Sequence, residues 1–362
     1  MSSLKILIVN DFASNASLFE KYLPCKVDVI YFDKHEVITS SKNPLFFEKK
    51  QFTYQVNKIK ELSNNYDLFL CFGWLAAAIC YLANVNYIMY FVDVYIDPEQ
   101  RIRKKMSYLK KKLLLDLYKE TLDCAKIVVS AHKYHTIPLK KYRNDVKEIF
   151  PYVDFEMFNG KAKKINLNHE KFIFFSPQRL EKIKGQHILW QAIKLAKSDF
   201  VVLQTDWGSK EYLEEISKNK PECVRLIPKI KREDMASYYV SVDALLGCIS
   251  PAYAPGIERE AILSKIPVFC YSPIGFTDND PFYTKSKDSK DIAEYIDRIV
   301  TDKEFRNNLI SEQSAWIKNT FDSHKLSEKW MDVFKGALGN TNHYKTKIKF
   351  KFICKILKIL RN

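Results

Sequence analysis

The stretch LFLCFGWLAAAICYLANVNYIMYFV, residues 68–92, decides the fold class of this chain. It holds 25 residues without a charge, a length that could cross a bilayer as a helix. Gly73 interrupts the run, however, and Asn84 and Asn86 lie in its second half. Three shorter elements fit the pattern better: a strand at 68–72, a helix at 75–83 and a strand at 87–92. The stretch therefore predicts a buried unit of a parallel sheet rather than a transmembrane helix.

The same alternation of strand and helix patterns continues along the chain and predicts an α/β protein with parallel sheets. Further strand patterns in the first half occur at 5–9, 27–31, 127–130 and 146–149. Those in the second half occur at 172–176, 200–204, 224–227, 244–247 and 268–270. Helix patterns close the chain at 289–300, 303–320 and 324–338. We expect two doubly wound domains that face each other, with a ligand cleft outside the carboxyl ends of their strands.

The length of 362 residues agrees with two domains of ordinary size. A polar stretch at 159–171 is the predicted linker between a first domain at 1–158 and a second domain at 172–322. A closing helix is predicted at 323–340, and a basic amphipathic tail is predicted at 341–362.

Motifs that would indicate other classes of site are missing from the sequence. Neither the G-x-G-x-x-G dinucleotide fingerprint nor the P-loop pattern occurs, and glycine is scarce, at 9 residues. The 8 cysteines form no C-x-x-C pair and show no spacing to histidine that suits zinc. We therefore predict reduced, mostly buried thiols in a cytoplasmic protein. Because Met1 to Lys5 lead straight into a strand pattern, we expect no signal peptide.

The net charge of +15 is concentrated in two segments. Residues 101–119 hold eight basic residues and one acid, and residues 341–362 hold seven basic residues and no acid. Basic amphipathic helices of this kind lie well on anionic membrane surfaces. We predict such contact through helix 101–119 and through the tail, so that the protein is peripheral on the inner face of the cell membrane. A basic nucleic-acid-binding protein is an alternative that we do not favour.

Apolar residues recur at helical spacing within both basic segments. In the first they are Ile102, Met106, Leu109, Leu113 and Leu117; in the tail they are Ile353, Ile356, Leu357 and Leu360. On the predicted membrane side of the first segment lie Lys104, Lys105, Lys111 and Lys112. The alternative for helix 101–119 is a core stripe with a solvated lysine face, and the alternative for the tail is a partner protein or RNA.

Two segments of the second half carry the candidate binding chemistry. The loop after the strand at 172–176 supplies Arg179 and Lys184, which suit the oxygens of a phosphate group. The segment that begins at Gly256 predicts a helix start, where the free N–H groups of Gly256, Ile257 and Glu258 could bind an anion. Together these features could hold a diphosphate, and Glu260 could accept a vicinal diol such as a ribose. The alternatives are a solvated basic loop and an ordinary α/β crossover.

Residues after the strands of the first half are the candidates for a second substrate. Asp93 ends the strand at 87–92, where a carboxylate could act as a base or bind substrate. A helix cap or a loop residue is the alternative for Asp93. Asn10 and Trp74 follow two other strands and are candidates for the acceptor side.

Four patches of the chain resemble, in order, segments of the retaining glycosyltransferase family 4 (glycosyl transferases group 1). Residues 179–185, RLEKIKG, resemble the family pattern R-L-x-x-x-K-G. Residues 260–268, EAILSKIPV, resemble E-A-M-A-x-G-x-P-V-V. Residues 149–159 are similar to I-P-N-G-V-D-x-x-x-F, and residues 67–74 are similar to a D-x-x-x-x-H-G-W-like strand and turn. The ordered set extends over about residues 5–335.

The resemblance implies a GT-B fold, with two facing Rossmann-like domains and a final helix that crosses back to the first. It also implies transfer of a sugar from a nucleotide sugar with retention of configuration. Arg179 and Lys184 would bind the donor diphosphate, Glu260 would hold the ribose hydroxyls, and Pro228 would lie near the base. The resemblance implies no metal and no cofactor, because cationic side chains and a helix dipole take over the role of a metal.

Two positions depart from the family pattern. Ala252 stands where the family has a second Glu, eight residues before the one matched by Glu260, and Asp93 stands where the family tends to have His. These departures leave open an inactive GT-B scaffold or partner subunit. Our prediction is a hexosyltransferase-type enzyme that acts on a lipid-linked glycan or a surface polysaccharide.

Overall fold

The computed structural model describes residues 4–11, 15–32, 42, 44–92, 108–131, 133–168, 170–249, 256–271, 281–283, 286–340, 344, 346–347 and 350. The chain divides into two compact units. The first unit consists of Met1–Tyr152 and Ser323–Asn362, and the second unit consists of Val153–Asp322.

The first unit contains a seven-stranded parallel sheet in the order β3-β2-β1-β4-β5-β6-β7. Its strands are β1 (Lys5–Val9), β2 (Lys26–Tyr31), β3 (Leu45–Phe46), β4 (Leu68–Phe72), β5 (Tyr87–Phe91), β6 (Ile127–Ser130) and β7 (Lys147–Glu148). Its helices are α1 (Asn15–Tyr22), α2 (Phe52–Leu62), α3 (Trp74–Ala83), α4 (Tyr108–Cys124), α5 (Lys133–Leu139) and α12 (Ser323–Gly339).

The uncharged stretch at 68–92 forms β4, α3 and β5, as its pattern predicts. Gly73 ends β4 with φ +81°, a conformation that favours glycine, and Asn84 ends α3 with φ +59°. Every residue of β4 and β5 is buried, because helices cover the central strands of a parallel sheet. Among the described residues, we find no helix that combines the length and the hydropathy needed to span a membrane.

The second unit contains a five-stranded parallel sheet in the order β10-β9-β8-β11-β12. Its strands are β8 (Phe172–Ser176), β9 (Phe200–Asp206), β10 (Val224–Pro228), β11 (Ala244–Ile249) and β12 (Val268–Tyr271). Its helices are α6 (Gln186–Leu195), α7 (Lys210–Ser217), α8 (Met235–Tyr239), α9 (Gly256–Leu263), α10 (Ser289–Thr301) and α11 (Lys303–Thr320). The predicted fold of two doubly wound parallel sheets is thus confirmed.

The closing helix α12 packs into the core of the first unit. Its Trp330 is fully buried, and its ring centroid lies 4.9 Å from that of Tyr90 and 5.0 Å from that of Phe19. Edge-to-face contacts of this kind add to the burial of large aromatic surfaces. Helix α12 therefore completes the core of the unit that residues 1–152 form.

The residues that the structure describes after α12 are also anchored to the first unit. The Tyr344 hydroxyl donates to the carbonyl oxygens of Val85 at 2.8 Å and Cys80 at 3.3 Å, and its ring stacks on Tyr81 at 5.4 Å. Phe350 is fully buried in the same core. The predicted tail at 341–362 therefore begins with residues that pack on the fold, and 351–362 lie outside the described residues.

Candidate functional site

The loop between β8 and α6 is held by contacts of its buried residues. The Gln178 amide nitrogen donates to the Leu246 carbonyl at 2.6 Å, and the Leu180 N–H donates to the Trp207 carbonyl at 2.8 Å. A short 3₁₀ turn at Lys182–Lys184 then leads into Gly185, whose φ of +72° opens α6. These contacts fix the backbone from which Arg179 and Lys184 project.

Gly185 allows this loop to approach the end of β11 very closely. A Cβ atom on Gly185 would lie 2.3 Å from the Ile249 carbonyl oxygen and 2.8 Å from the Ile249 Cβ. Lys184 is therefore carried to the carboxyl end of the neighbouring strand. Arg179 is half-exposed, and its guanidinium pairs with Glu181 at 2.9 Å.

The start of α9 carries two buried carboxyl groups that serve different neighbours. Glu258 is fully buried, and its Oε1 accepts the Cys248 N–H at 2.9 Å. Gly247 makes room for it, because a Cβ on Gly247 would lie 2.8 Å from Glu258 Oε1. The other oxygen, Oε2, has no hydrogen-bond partner in the part of the chain that the structure describes. Burial raises the pKa of Glu258, and the Cys248 N–H and the charge of Lys184 oppose that increase.

Replacing Glu258 by glutamine is expected to change how stability depends on pH. An acid whose pKa is raised in the folded state contributes stability below its unfolded pKa, and that stability is lost as pH rises through the folded value. Glutamine keeps the acceptor for the Cys248 N–H but does not titrate. From pH 5 to pH 8 the unfolding free energy of Glu258→Gln should therefore rise relative to that of wild type. Thermal unfolding checks this, with the exposed Glu214→Gln as control; a parallel pH dependence in wild type and Glu258→Gln would contradict it.

Glu260 lies two residues further along α9 and is also buried. Its Oε1 accepts from Arg232 Nη1 at 2.5 Å, and its Oε2 accepts from the Tyr239 hydroxyl at 3.3 Å. Burial raises the pKa of Glu260, and the Arg232 guanidinium opposes this increase. The sequence did not reveal Arg232 and Tyr239, because they lie 28 and 21 residues from Glu260 and match no motif.

The neighbouring edge of the same sheet carries an aromatic face between cations. Trp207 follows β9, and its ring lies 4.5 Å from Lys229 Nζ and 5.9 Å from the Arg179 Cζ atom. Pro228 ends β10 directly before Lys229 and is exposed. The predicted base-side residue is therefore followed directly by a lysine that lies over an aromatic ring, and no sequence motif indicated that ring.

These parts share one edge of the second unit's sheet. The carboxyl ends of parallel strands lie at the same edge, where ligands of doubly wound sheets bind. There β8 is followed by the loop with Arg179 and Lys184, and β10 is followed by Lys229 and Arg232. The first residues of α9, Gly256 and Ile257, are only partly buried, so their N–H groups complete a positively charged surface suited to an anion.

A cluster of three buried side chains in this region could offer ligands to a metal ion. Potential ligand atoms of Cys248, Glu258 and Cys270 lie within 4.8 Å of one another. A hydrogen bond from the Cys270 thiol to Cys248, together with burial, raises the pKa of Cys270, a direction that disfavours the thiolate form needed for metal binding. We therefore attach no metal to this group.

The first unit contains the predicted acceptor-side residues Asn10 and Trp74. Asn10 lies at the carboxyl end of β1, where it adopts φ +66° and its N–H donates to the Ile30 carbonyl at 2.8 Å. Trp74 is 5% exposed and packs against the Tyr118 ring, so its side chain belongs to the core. Asp93, Ala252, Lys104 and Lys105 lie outside the described residues.

Helix α4 combines the two alternatives considered for the basic segment 101–119. Its later turns are a core element, because Leu114, Leu117 and Tyr118 are fully buried. The first described turn is different: Tyr108 and Leu109 are each 76% exposed, next to the basic residues at 110–112, which include Lys111 and Lys112. The predicted apolar stripe is therefore divided: Leu113 and Leu117 pack in the described core, and Leu109 does not.

Comparisons with known proteins agree with this geometry. Residues 158–316 match the family Glycosyl transferases group 1, so the second unit carries a domain of this type. No curated protein matches the chain significantly. The matched range includes Arg179, Lys184 and Glu260.

Solved structures share the fold over almost the whole chain. The HepE protein of Anabaena, solved in complex with UDP and glucose, is 16% identical, with a TM-score of 0.73 over 92% of this chain and 99% of that one. Sucrose-phosphate synthase from Thermosynechococcus elongatus is 14% identical, with a TM-score of 0.72 over 92% and 98%. The lipopolysaccharide outer core galactosyltransferase WaaB is 11% identical, with a TM-score of 0.60 over 92% and 99%. The chain thus has the two Rossmann-like domains of GT-B glycosyltransferases.

Proposed function

We propose that this chain is a glycosyltransferase that moves a sugar from a nucleoside-diphosphate sugar to a glycan or lipid-linked acceptor. The observation that carries the proposal is the surface at the carboxyl edge of the second unit's sheet. It combines Arg179 and Lys184, the start of α9 and the buried Glu260 inside a glycosyl transferases group 1 domain. HepE, which shares the fold, was solved with UDP and with UDP-glucose, which supports a nucleotide sugar as the donor.

The chemistry follows from the charge that transfer creates. When the bond between the sugar's anomeric carbon and the phosphate oxygen breaks, the departing nucleoside diphosphate gains negative charge. Arg179, Lys184 and the N–H groups at the start of α9 stabilise that charge more strongly than they stabilise the bound donor. In other transferases a metal ion stabilises this negative charge. Because these groups can do the same here, we propose metal-independent transfer. Attack by the acceptor hydroxyl on the face of the leaving group gives retention of configuration, as in family 4.

Glu260 and Pro228 are proposed to define the nucleoside. Glu260 is an acceptor for the two ribose hydroxyls, and Pro228 lies on the base side. Asp93 remains the candidate base, and Asn10 remains the candidate for the acceptor side of the first unit, whereas the Trp74 side chain lies in the core. An inactive scaffold is the second candidate, since Ala252 and Asp93 replace two family residues.

Turnover distinguishes these two candidates. We expect the purified chain to transfer sugar from one member of a panel of UDP- and GDP-sugars to a lipid-linked or polysaccharide acceptor, without added metal. Binding of a nucleotide sugar with no transfer to any acceptor would favour the scaffold. Failure to bind any member of the panel would contradict both.

The protein is further proposed to be peripheral on the inner face of the cell membrane. The support is the exposed Tyr108 and Leu109 beside Lys110–Lys112, together with the basic segment at 351–362. Each basic residue near an anionic surface contributes about 1 kcal/mol.

Deletion of 351–362 should release the protein from anionic vesicles while leaving it folded. The deletion removes four basic residues, Lys351, Lys355, Lys358 and Arg361, and spares the anchoring residues Tyr344 and Phe350. Cosedimentation with vesicles that contain phosphatidylserine measures the effect, and we expect the bound fraction to fall at least tenfold at low salt. The control replaces the exposed pair Lys163 and Lys164 by glutamate. Unchanged cosedimentation after deletion would contradict a role for the tail.

A further inference from the structure

Arg232 forms an ion pair with the Glu260 carboxylate, which is the proposed acceptor for the ribose hydroxyls. It lies in the 3₁₀ turn Arg232–Asp234, four residues after the end of β10, and its Nη1 is 2.5 Å from Glu260 Oε1. Only 19% of the Arg232 side chain and 8% of the Glu260 side chain are exposed. An ion pair so little exposed to water is screened less than a surface pair, and loss of one partner leaves a buried charge without compensation.

The guanidinium of Arg232 is fixed on a second side by an aromatic ring. Its Cζ lies 4.8 Å from the ring centroid of Phe158, which is fully buried. The Phe158 ring in turn meets the Tyr239 ring edge-on at 5.8 Å, and the Tyr239 hydroxyl donates to the second oxygen of Glu260. Three elements therefore determine where the Glu260 carboxylate points: the turn at 232–234, α8 and the segment at 158.

This arrangement leaves the carboxylate able to accept further hydrogen bonds. Each carboxylate oxygen has two lone-pair sites, and each oxygen of Glu260 accepts one described side-chain hydrogen bond. The remaining lone pairs can accept two hydroxyl groups that lie on adjacent carbons. Ribose in a nucleoside diphosphate presents such a pair.

We infer that Arg232 is a positioning residue of the nucleotide site, which fixes the Glu260 carboxylate in the orientation that receives the ribose hydroxyls. The inference rests on the proposed function, because it needs a nucleoside diphosphate at this edge of the sheet. The inference predicts that the site prefers ribose over a sugar without the 2′ and 3′ hydroxyls. Arg232 should maintain that preference without contacting the nucleotide.

The experiment compares two ligands in calorimetric titrations of the full chain at pH 6, 7 and 8. The ligands are UDP or GDP, whichever the wild type binds, and its 2′,3′-dideoxy counterpart. The variants are Arg232→Met, which keeps an apolar stem against Phe158, and Arg232→Gln. Glu260→Gln is the reference for loss of the acceptor, and the exposed Arg225→Gln on β10 is the matched control.

We expect the wild type and Arg225→Gln to prefer the ribose ligand at least tenfold. In both Arg232 variants, as in Glu260→Gln, most of this preference should disappear, while affinity for the dideoxy ligand should stay the same. Because the Arg232 guanidinium opposes the rise in the pKa of Glu260 that burial causes, any ribose preference left in the Arg232 variants should depend on pH more strongly than that of the wild type.

Two results would overturn the inference alone. Either an undiminished preference for ribose in a folded Arg232 variant, or an equal loss of affinity for both ligands, would show that Arg232 does not act through Glu260. If one variant does not fold, the other decides. Failure of the wild type to bind UDP and GDP would instead overturn the proposed function, and this inference with it.

Discussion

Replacing Lys184 by alanine is expected to lower donor turnover about 10²- to 10³-fold, the loss typical of one preorganised group that stabilises developing negative charge. Lys184 ends the 3₁₀ turn that Gly185 presses against the end of β11, so its position is fixed before donor binds. Its ammonium has no ion-pair partner among the residues described, which leaves it available to a phosphate. The change should therefore affect the transfer step more than folding.

The matched control for this change is Lys182→Ala in the same turn. The Lys182 side chain is 75% exposed, and its one ion pair within the described part of the chain is with Glu215 at 3.9 Å, so its loss should change turnover less than twofold. Steady-state assays with the active nucleotide sugar measure both variants, and thermal unfolding confirms that both fold. Equal activity of Lys184→Ala and wild type would contradict the assignment of Lys184 to the leaving group.

The second large effect is expected from Gly185→Ala. The new Cβ would overlap the Ile249 carbonyl oxygen at 2.3 Å, and φ of +72° disfavours any residue with a Cβ. Backbone overlap of this kind cannot be relieved by a side-chain rotation, so either the loop or β11 must move. We expect a loss of about 2–5 kcal/mol in unfolding free energy, together with loss of nucleotide binding.

Thermal unfolding of the full chain measures this loss, at about 2–4 °C per kcal/mol for a domain of this size. Gly339→Ala is the control, because a Cβ at that position would have no atom within 4 Å among the described residues outside its own helix backbone and chain neighbours. An unfolding temperature of Gly185→Ala equal to that of wild type would show that the loop does not need this close approach.

The sequence predicted the sheets well because burial leaves a strong local signal. The strands at 68–72, 127–130 and 172–176 occur at the predicted residues, since each is a short apolar run bounded by polar or turn residues. The strand expected at 146–149 is shorter, at Lys147–Glu148, because it lies at the edge of its sheet and pairs on one side only. Local sequence patterns therefore predict which strands form, but they predict the ends of an edge strand less accurately.

The candidate site was predicted only where it follows a motif. Arg179, Lys184 and Glu260 belong to local patterns, so they could be selected from the sequence. Arg232 reaches Glu260 only through the folding of the chain between β10 and α9, and no local pattern records that contact. The position of Glu258 was equally hidden, because its burial depends on the space left by Gly247 on a neighbouring strand.

The contacts of the tail in the first unit were likewise not predicted from local sequence patterns. Its composition suggested a basic amphipathic segment from residue 341, yet Tyr344 and Phe350 pack on α3 and its surroundings. Anchoring by one aromatic hydroxyl and one buried ring leaves no periodic signal. A truncation designed from the sequence alone would have removed part of the core.

The most direct test of the central claim is a calorimetric titration of UDP and GDP into the full chain and into the Arg179→Ala, Lys184→Ala double variant. We predict saturable binding of one of the two nucleotides to the wild type at one site per chain, without added metal. The double variant should bind that nucleotide at least a hundredfold more weakly. Binding of equal strength to both proteins, or no binding to the wild type, would contradict the assignment of a nucleoside-diphosphate site to this edge of the second unit.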